Sequence, residues 1–502
     1  MKSYMTRIFS IEPGRWRFWV IAAILFKLAF LLFKIITRTH TEVHIDGFFG
    51  FADADAYAYL SPVDNLVHTG SYTPDYRMPG YGAFYFPFIL LFSKGTACNL
   101  MILSQLLISA VSVYILALTA GNIFKSNTAF YIAFVLYSLS CYTSCFDGFL
   151  LTESITTSFL IFAVYLFILY FEKGRYPYIF LSGAFLTWAI FCRPVLLPFL
   201  FFFFIFLVLK APRRTGSYLL FFSSFIICDA AWIRHNYKAY HIIAPLLNNT
   251  HTFFNPIIGS KTNAPKEYFT NGLSPDTVVD IHALMEKYGQ AWGAPTIYEL
   301  DDIFFNERNH RLLLVNTDAV PQYSYTSKFN RDSLEKLNRM IDTVNLEGMT
   351  NRQKRALAVV IDGKIDNYIA SLKKEKPFVY YIKAPLILLR RFVMTSGSQL
   401  LFDKPVSRSN PAAYAIKLLF ALLYYFVLVT AVFGMIRMWK QFFNFRSFQF
   451  LIMGIALYII LVHPLVLRFC DWRYSVPAYP FLLLCSVAGL APYLNKMKGN
   501  RK

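Results

Sequence analysis

Apolar residues in this chain are grouped into long runs that polar residues rarely interrupt. Because an α-helix rises 1.5 Å per residue, about 20 apolar residues cross the hydrocarbon core of a bilayer, and shorter runs can cross inside a bundle. The runs that meet this measure are 16–36, 99–120, 128–145, 154–171, 178–192, 195–209, 217–233, 413–436, 448–462 and 476–494. The pattern predicts an all-α polytopic membrane protein with about ten transmembrane helices.

Two further apolar segments are ambiguous. Residues 81–93 form a short run that contains Pro87, so they can form either a span or a helix at the membrane interface. Residues 378–402 are apolar but carry Lys383 and Arg390 among other charges, which favours an interfacial helix over a tilted pair of extra spans.

The segment 234–411 is too long to be a simple connection between spans. Within it, Thr350 and Gln353 have the spacing of a capping box, and the apolar residues that follow recur about every four positions. This periodicity predicts an amphipathic helix, interrupted at Gly363. We therefore divide the chain into an N-terminal transmembrane module (1–233, first outer loop 37–98), a partly helical extracytoplasmic domain (234–411) and C-terminal transmembrane helices (412–502).

Composition supports a membrane protein, because 56% of the residues are hydrophobic and 16% are charged, whereas soluble domains are roughly 45–50% apolar. The formal net charge of +20 lies largely in short segments that flank the apolar runs. No basic face interleaved with aromatic residues accompanies it, which argues against a nucleic-acid partner. The seven cysteines are scattered without paired metal-ligand spacing, so we interpret them as small core residues.

The distribution of Lys and Arg predicts the topology. If 81–93 does not cross, the short segments on one side of the membrane carry far more basic residues than those on the other side. Short cytoplasmic segments are enriched in Lys and Arg, so the more basic side is the cytoplasm. Both termini are then cytoplasmic. The first loop, the turn 146–153, the turn at Arg193 and the segment 234–411 all lie on the extracytoplasmic side.

The first loop contains the most suggestive polar residues. Asp53 and Asp55 are followed by Tyr59, and then by a turn that begins at Arg77 and includes Gly80. Carboxylates beside a bilayer are costly to desolvate, so their placement indicates a reaction site. The alternative is that the aspartates only cap helices.

Several motifs of this chain appear in the same order as in a known superfamily. Asp55, Tyr59, Gly70 and Arg77-x-Pro-Gly-Tyr81 resemble the first extracytoplasmic loop of the GT-C glycosyltransferases, which include the lipid A aminoarabinose transferase and the protein O-mannosyltransferases. Later matches are Leu-Leu-Thr-Glu153-Ser, Arg193-Pro, Trp-x-Arg234-His-Asn-Tyr237 and Arg473-Tyr-x-x-Pro. Gly82 replaces the usual Pro of the first motif, His235 is inserted in the third of the later motifs, and 241–411 matches no part of the superfamily.

The resemblance implies a GT-C-like bundle and transfer of a sugar from a polyprenyl-phosphate carrier, with inversion, to a lipid, glycan or protein acceptor. It also implies an integral protein of the plasma (inner) membrane of a bacterium, in contact with membrane lipids, with an extracytoplasmic active site. The incoming hydroxyl needs a base, and a positioned carboxylate can serve. We assign this role to Asp55, with Asp53 second.

The leaving phosphate needs fixed positive donors, and the planar fork of arginine suits phosphate oxygens. Arg193 and Arg234 are the first candidates, followed by Arg77 and Arg473. The remaining substrate-binding candidates are Tyr59, Tyr237, Asp147 and Glu153. The two acids can orient the acceptor, and Asp55 with Glu153 can bind a divalent cation. No cofactor is certain, and the sequence leaves metal dependence open.

Two other functions remain open. A transporter or flippase of lipid-linked sugars would place its binding groups near the membrane midplane, and a polysaccharide polymerase would not be expected to carry the aspartate pair in its first outer loop. Lys27, Asp229 and Lys417 can mark a substrate path, although Asp229 lies near the outer end of its span and can simply form a pair there. His463 is interpreted as a polar side chain with its hydrogen bonds satisfied.

Overall fold

The structure is a computed structural model that describes residues 15–37, 47–50, 54–72, 77–240, 243, 246, 322–344, 350–402, 406, 409–467 and 471–499. These residues are almost entirely helical and contain no β-strand, which confirms the all-α prediction. Asp53, and nearly all of 241–321 in the long polar segment, lie outside the described residues.

The described helices follow one another along the chain with short connections. The first half contains α1 (Trp16–Thr37), α2 (Ala54–Thr69), α3 (Gly80–Leu91), α4 (Lys94–Phe124), α5 (Asn127–Ser138), α6 (Cys141–Ser144), α7 (Thr152–Lys173), α8 (Tyr176–Cys192), α9 (Leu197–Lys210) and α10 (Thr215–Tyr240). The second half contains α11 (Arg331–Val344), α12 (Asn351–Glu375), α13 (Ala384–Met394), α14 (Pro411–Arg437), α15 (Trp439–Phe442), α16 (Phe448–Leu461) and α17 (Tyr479–Gly499).

All ten predicted apolar runs form helices, but they do not all reach across a bilayer alone. Among the described residues, seven helical segments are long and apolar enough to cross. An eighth span is possible if α5 and the segment Cys141–Gly148, whose axes meet at a bend of 51°, are counted as one. The helices α8 and α9 are shorter, and so is α3, which covers the ambiguous run 81–93. The chain is an integral membrane protein by these spans.

The break between α8 and α9 has a local cause at Pro194. Proline cannot donate a backbone hydrogen bond, and it disfavours helical geometry for the residue before it. Arg193 accordingly has extended backbone angles (φ −143°, ψ 92°), between the end of α8 and a short 3₁₀ turn. The side chain of Arg193 therefore leaves the helix surface at the end of a span.

The most buried helices form the centre of the bundle. The helix α7 and the start of α17 are almost wholly buried, and the 3₁₀ helix Trp472–Ala478 is buried over its second half. The helices α1, α10 and α14 lie at the periphery. Close packing of α14 on α17 depends on Gly434, since a Cβ there would collide with the carbonyl oxygen of Cys485.

The described part of the long segment 234–411 is mostly helical and contains α11, α12 and α13. Thr350 and Gln353 make the predicted capping box at the start of α12, and Ile361, Ile365 and Leu372 lie buried on one face. The predicted interruption is wrong, because α12 continues through Gly363. In the segment 378–402, a π-helical turn (Val379–Lys383) precedes α13.

Candidate active site

A carboxylate from the first loop lies between two guanidinium groups. Asp55 is in the first turn of α2, where one of its oxygens accepts a hydrogen bond from Arg77 and the other accepts one from Arg473. Arg77 lies just before α3, and Arg473 lies in the 3₁₀ helix Trp472–Ala478, 418 residues after Asp55. The fold thus brings together three residues that the sequence motifs single out.

Arg473 links this pair to two more acids. Its Nε also pairs with Asp471, whose other oxygen caps the 3₁₀ helix by accepting from the backbone N–H of Arg473 at 3.1 Å. The same Nε lies 3.8 Å from Oε1 of Glu153. Because Arg473 touches three carboxylates, it ties the first loop, the start of α7 and the last span together.

Arg193 forms the other side of the site. Its Nη2 donates to Oε1 of Glu153, its Nε donates to the hydroxyl of Thr152 at 3.0 Å, and its guanidinium lies 4.7 Å from the centre of the Tyr474 ring. Glu153 is only 1% exposed. Its second oxygen, Oε2, is buried and has no hydrogen-bond partner among the described residues.

We call the six charged residues Asp55, Glu153, Asp471, Arg77, Arg193 and Arg473 the charge cluster. Three carboxylates face three guanidinium groups, so the cluster is formally neutral. Burial raises the pKa of Asp55, but the neighbouring Arg77 and Arg473 together lower it by more than burial raises it. The pKa of Asp55 therefore lies below its ordinary value. For Asp471 burial outweighs the effect of Arg473, and the pKa is raised.

Close approach of α3 to α8 positions the arginines. A Cβ at Gly80 would lie 2.5 Å from the carbonyl carbon of Phe191, and the indole of Trp188 donates to the carbonyl oxygen of Gly80 at 3.0 Å. Glycine is thus required at the position where α3 crosses the end of α8. The aromatic ring of Tyr59 supports Arg77, whose guanidinium lies 4.9 Å from the ring centre.

Asp147 lies in a separate group of buried polar residues, which we call the Lys27 network: Lys27, Ser109, Asp147 and Ser154. One oxygen of Asp147 accepts from Lys27 at 2.9 Å and from Ser109 at 3.1 Å, and the other accepts from Ser154. Both oxygens of this acid are therefore in use. Lys27, which the sequence suggested for a substrate path, instead forms a buried ion pair inside the bundle.

The structure does not bring the remaining candidates into the charge cluster. Arg234 and Tyr237 are exposed near the end of α10, and among the residues the structure describes no ion pair joins Arg234 to an acid. The same turn of α10 still contacts the first loop, because the rings of Trp232 and His235 pack on Tyr72 at 6.3 and 5.7 Å. Asp53 lies outside the described residues.

Four residues at the site were not assigned from the sequence. Thr152 and Tyr474 belong to the motifs but received no role, and Asp471 lies two residues before Arg473, so the motifs themselves were the available signal. His463 was expected to be satisfied, yet neither of its buried ring nitrogens has a hydrogen-bond partner in the described part of the chain. No group of three or more His, Cys, Asp or Glu side chains that could hold a metal occurs among the described residues.

Residues 79–232 match the family model of the dolichyl-phosphate-mannose-protein mannosyltransferases. The GT-C resemblance is confirmed over this segment. It contains Gly80, Glu153 and Arg193, whereas Asp55 and Arg473 lie outside it. No curated protein sequence matches the chain significantly.

Two solved structures with a similar course of the chain are of an archaeal oligosaccharyltransferase from Archaeoglobus fulgidus. The apo form is 14% identical with a TM-score of 0.48, and the complex of AglB with an inhibitory peptide and a dolichol-phosphate is 14% identical with a TM-score of 0.45. Each alignment covers 97% of this chain and 51% of the archaeal chain. This chain therefore spans about half the length of those enzymes.

Proposed function

We propose that this protein is an inverting glycosyltransferase that moves a sugar from a polyprenyl-phosphate carrier to an acceptor hydroxyl. The observation that carries the proposal is the charge cluster, in which one carboxylate of the first loop meets arginines from distant parts of the chain. The mannosyltransferase match over 79–232 supports the same class of reaction.

In the proposed reaction Asp55 is the general base. The acceptor oxygen attacks the anomeric carbon as its proton passes to the Asp55 carboxylate, and the bond from that carbon to the phosphate oxygen breaks. The polyprenyl phosphate leaves with the electron pair of the broken bond. Because a single displacement occurs on the face opposite the leaving group, the anomeric configuration inverts.

The arginines stabilise the departing phosphate in this scheme. Arg193 and Arg473 present fixed N–H donors where negative charge develops, and such donors lower the barrier because they need little reorganisation. Both oxygens of Asp55 now accept from guanidinium groups, but each retains a second lone pair for a proton. A phosphate that draws Arg473 toward itself would raise the basicity of Asp55 at the moment when a base is needed.

A divalent cation fits the described residues poorly. Both oxygens of Asp55, and Oε1 of Glu153, already pair with arginines, so a bound dication would lie beside guanidinium groups of the same sign. We therefore route no step of the proposed reaction through a metal.

The asymmetry of Lys and Arg supports an extracytoplasmic position for the charge cluster. We propose that the membrane is the plasma membrane of a bacterium, as the GT-C resemblance implies. The donor would then be a polyprenyl-phosphate sugar held in the membrane beside the bundle. The acceptor would be a lipid, glycan or protein that reaches this face, with no role for nucleic acid.

The test uses membranes that contain the full chain and a panel of radiolabelled polyprenyl-phosphate sugars. The native protein should transfer label from one donor with inversion, and Asp55→Asn should lose this activity. Asp64→Asn is the matched control, since Asp64 is on the same helix and pairs with Lys94 at 3.3 Å outside the charge cluster. Full transfer by Asp55→Asn would refute the assignment, and movement of intact lipid-linked sugar across the membrane would instead indicate a flippase.

A further inference from the structure

His463 is a buried polar side chain that lacks hydrogen-bond partners. It lies in the π-helical turn Val462–Leu467 at the end of α16 and is 5% exposed. A neutral imidazole has one N–H donor and one acceptor nitrogen. Both nitrogens are buried and unpaired among the described residues, and such groups are rare enough in folded proteins to indicate a ligand or a functional role.

The position of His463 connects it to the charge cluster. Its ring stacks on Tyr474, with centres 5.1 Å apart and planes at 18°, and it contacts Phe392 of α13 at 5.2 Å. The guanidinium of Arg193 lies 4.7 Å from the same Tyr474 ring. Arg193 and His463 therefore contact the same aromatic side chain, which is adjacent in sequence to Arg473 of the charge cluster. π-helical turns frequently occur at functional sites, where they redirect a side chain.

A second unpaired atom belongs to the same neighbourhood. Oε2 of Glu153 is buried without a partner in the described residues, although Oε1 of the same side chain binds Arg193. The missing hydrogen-bond partners include an acceptor and a donor, because the N–H of His463 needs an acceptor and Oε2 of Glu153 needs a donor. A sugar phosphate supplies both, because its phosphate oxygens accept and its sugar hydroxyls donate.

Charge leads to the same class of ligand. The three acids and three arginines of the charge cluster balance one another, so a phosphate that enters adds negative charge to a neutral group. An additional N–H donor on the aromatic ring that Arg193 also contacts would help to hold that charge. We propose that His463 and Arg193 together bind the phosphate of the polyprenyl carrier, with His463 donating a hydrogen bond to a phosphate oxygen.

This inference rests on the proposed function and adds a residue that the motifs do not contain. Because the ring nitrogens of His463 are closed off from solvent, binding requires a neighbouring ring, such as that of Tyr474, to shift. An unpaired buried nitrogen costs free energy in the absence of ligand, so its removal should not weaken the fold.

The experiment measures binding of farnesyl phosphate to the purified full-length protein in detergent, with farnesol as the control for the lipid tail. His463→Phe keeps an aromatic ring against Tyr474 and Phe392 but removes both nitrogens. We expect it to bind farnesyl phosphate about 10- to 100-fold more weakly than the native protein, as for a lost hydrogen bond to a charged group. Its unfolding midpoint without ligand should be equal to or higher than that of the native protein.

Two further variants complete the test. His463→Gln retains an N–H donor and should recover much of the binding that the Phe variant loses. His68→Phe makes the same substitution at an exposed histidine and should bind like the native protein. If His463→Phe binds normally, melts at a lower temperature or fails to fold, or if the Gln and Phe variants bind equally weakly, the inference is wrong.

The outcomes also separate this inference from the proposed function. Native protein that binds farnesyl phosphate no better than farnesol would contradict the phosphate-linked donor, and with it both proposals. Normal binding by His463→Phe, together with loss of transfer in Asp55→Asn, would refute the inference alone.

Discussion

The Lys27 network and the charge cluster are neighbours in the chain and differ in how completely their hydrogen bonds are made. Ser154 belongs to the first and Glu153 to the second, at adjacent positions of α7. In the Lys27 network both oxygens of Asp147 have partners, and Lys27 also donates to Ser144 at 3.0 Å. In the charge cluster Glu153 keeps an unpaired oxygen, and Asp55 remains about one-fifth exposed.

This difference distinguishes a structural from a functional role for buried charges. A complete network gains nothing from a ligand, and it fixes the helices that carry it. An incomplete one is destabilising until a ligand supplies the missing groups. We therefore expect substitutions in the Lys27 network to act mainly on stability, and substitutions in the charge cluster to act mainly on transfer.

The largest effect should come from breaking the Lys27 network. Lys27→Met leaves the Asp147 carboxylate buried without its cation, which costs about 3–5 kcal/mol and should markedly lower the thermal unfolding midpoint in detergent. The double variant Lys27→Met/Asp147→Leu should recover much of this loss, since no charge is then left unpaired. Lys125→Met breaks an exposed pair with Glu172 and should cost less than about 1 kcal/mol. Equal midpoints for Lys27→Met and Lys125→Met would remove the structural role.

A smaller effect, on activity, should follow from Arg193→Lys. The lysine keeps a positive charge opposite Glu153 but loses the planar fork that binds Thr152 and phosphate together. Transfer should fall about 10- to 100-fold, while the unfolding midpoint changes little. Arg175→Lys, at an exposed arginine before α8, is the matched control. Native rates in Arg193→Lys would show that Arg193 does not bind the donor.

The crossing of α3 and α8 can be tested through Gly80. In Gly80→Ala the new methyl group meets the backbone of Phe191 and Cys192 within 2.6 Å, so the helices must separate at a cost of about 1–3 kcal/mol. Transfer should fall with stability, because this contact positions the arginines. Gly363→Ala has open space around its Cβ in α12 and should stabilise the protein by about 0.5–1 kcal/mol. If both variants behaved alike, the close approach would not matter.

The smallest effect concerns pH. Because the arginines hold the pKa of Asp55 below its ordinary value of about 3.9, the carboxylate stays ionised and kcat/KM should be constant from pH 7 down to about 5. The stabilising pairs of Asp55 are likewise fully present above about pH 3.9 and are lost as the pH falls through the lowered pKa. Arg77→Gln removes one cation, so the acid limb of kcat/KM should move to higher pH. An acid limb that stays in place or moves lower would contradict this electrostatic account.

The sequence was sufficient for properties that depend on neighbouring residues. Apolar runs of spanning length, the capping box at Thr350 and the break at Pro194 all follow from local chemistry, and each is found in the structure. Besides Asp55, the order of the motifs identified four other residues of the charge cluster, namely Glu153, Arg77, Arg193 and Arg473.

Contacts between distant segments were not predictable in the same way. Asp147 and Glu153 are both acids of one short turn, and only the position of Lys27 on another helix separates their roles. His463 was expected to be satisfied, because a sequence does not show which side chains surround a ring. Arg234 matched a motif yet is exposed, since the orientation of α10 rather than the motif decides where its side chain lies.

The central claim is that the incomplete group of buried charges is the site of reaction and that the complete group supports it. The most direct measurement compares transfer and unfolding midpoint in Asp55→Asn and Asp147→Asn. We predict that Asp55→Asn loses at least about 100-fold in transfer and lowers the midpoint less than Asp147→Asn, whose chief effect is on the midpoint. Native transfer by Asp55→Asn, at any midpoint, would contradict the account.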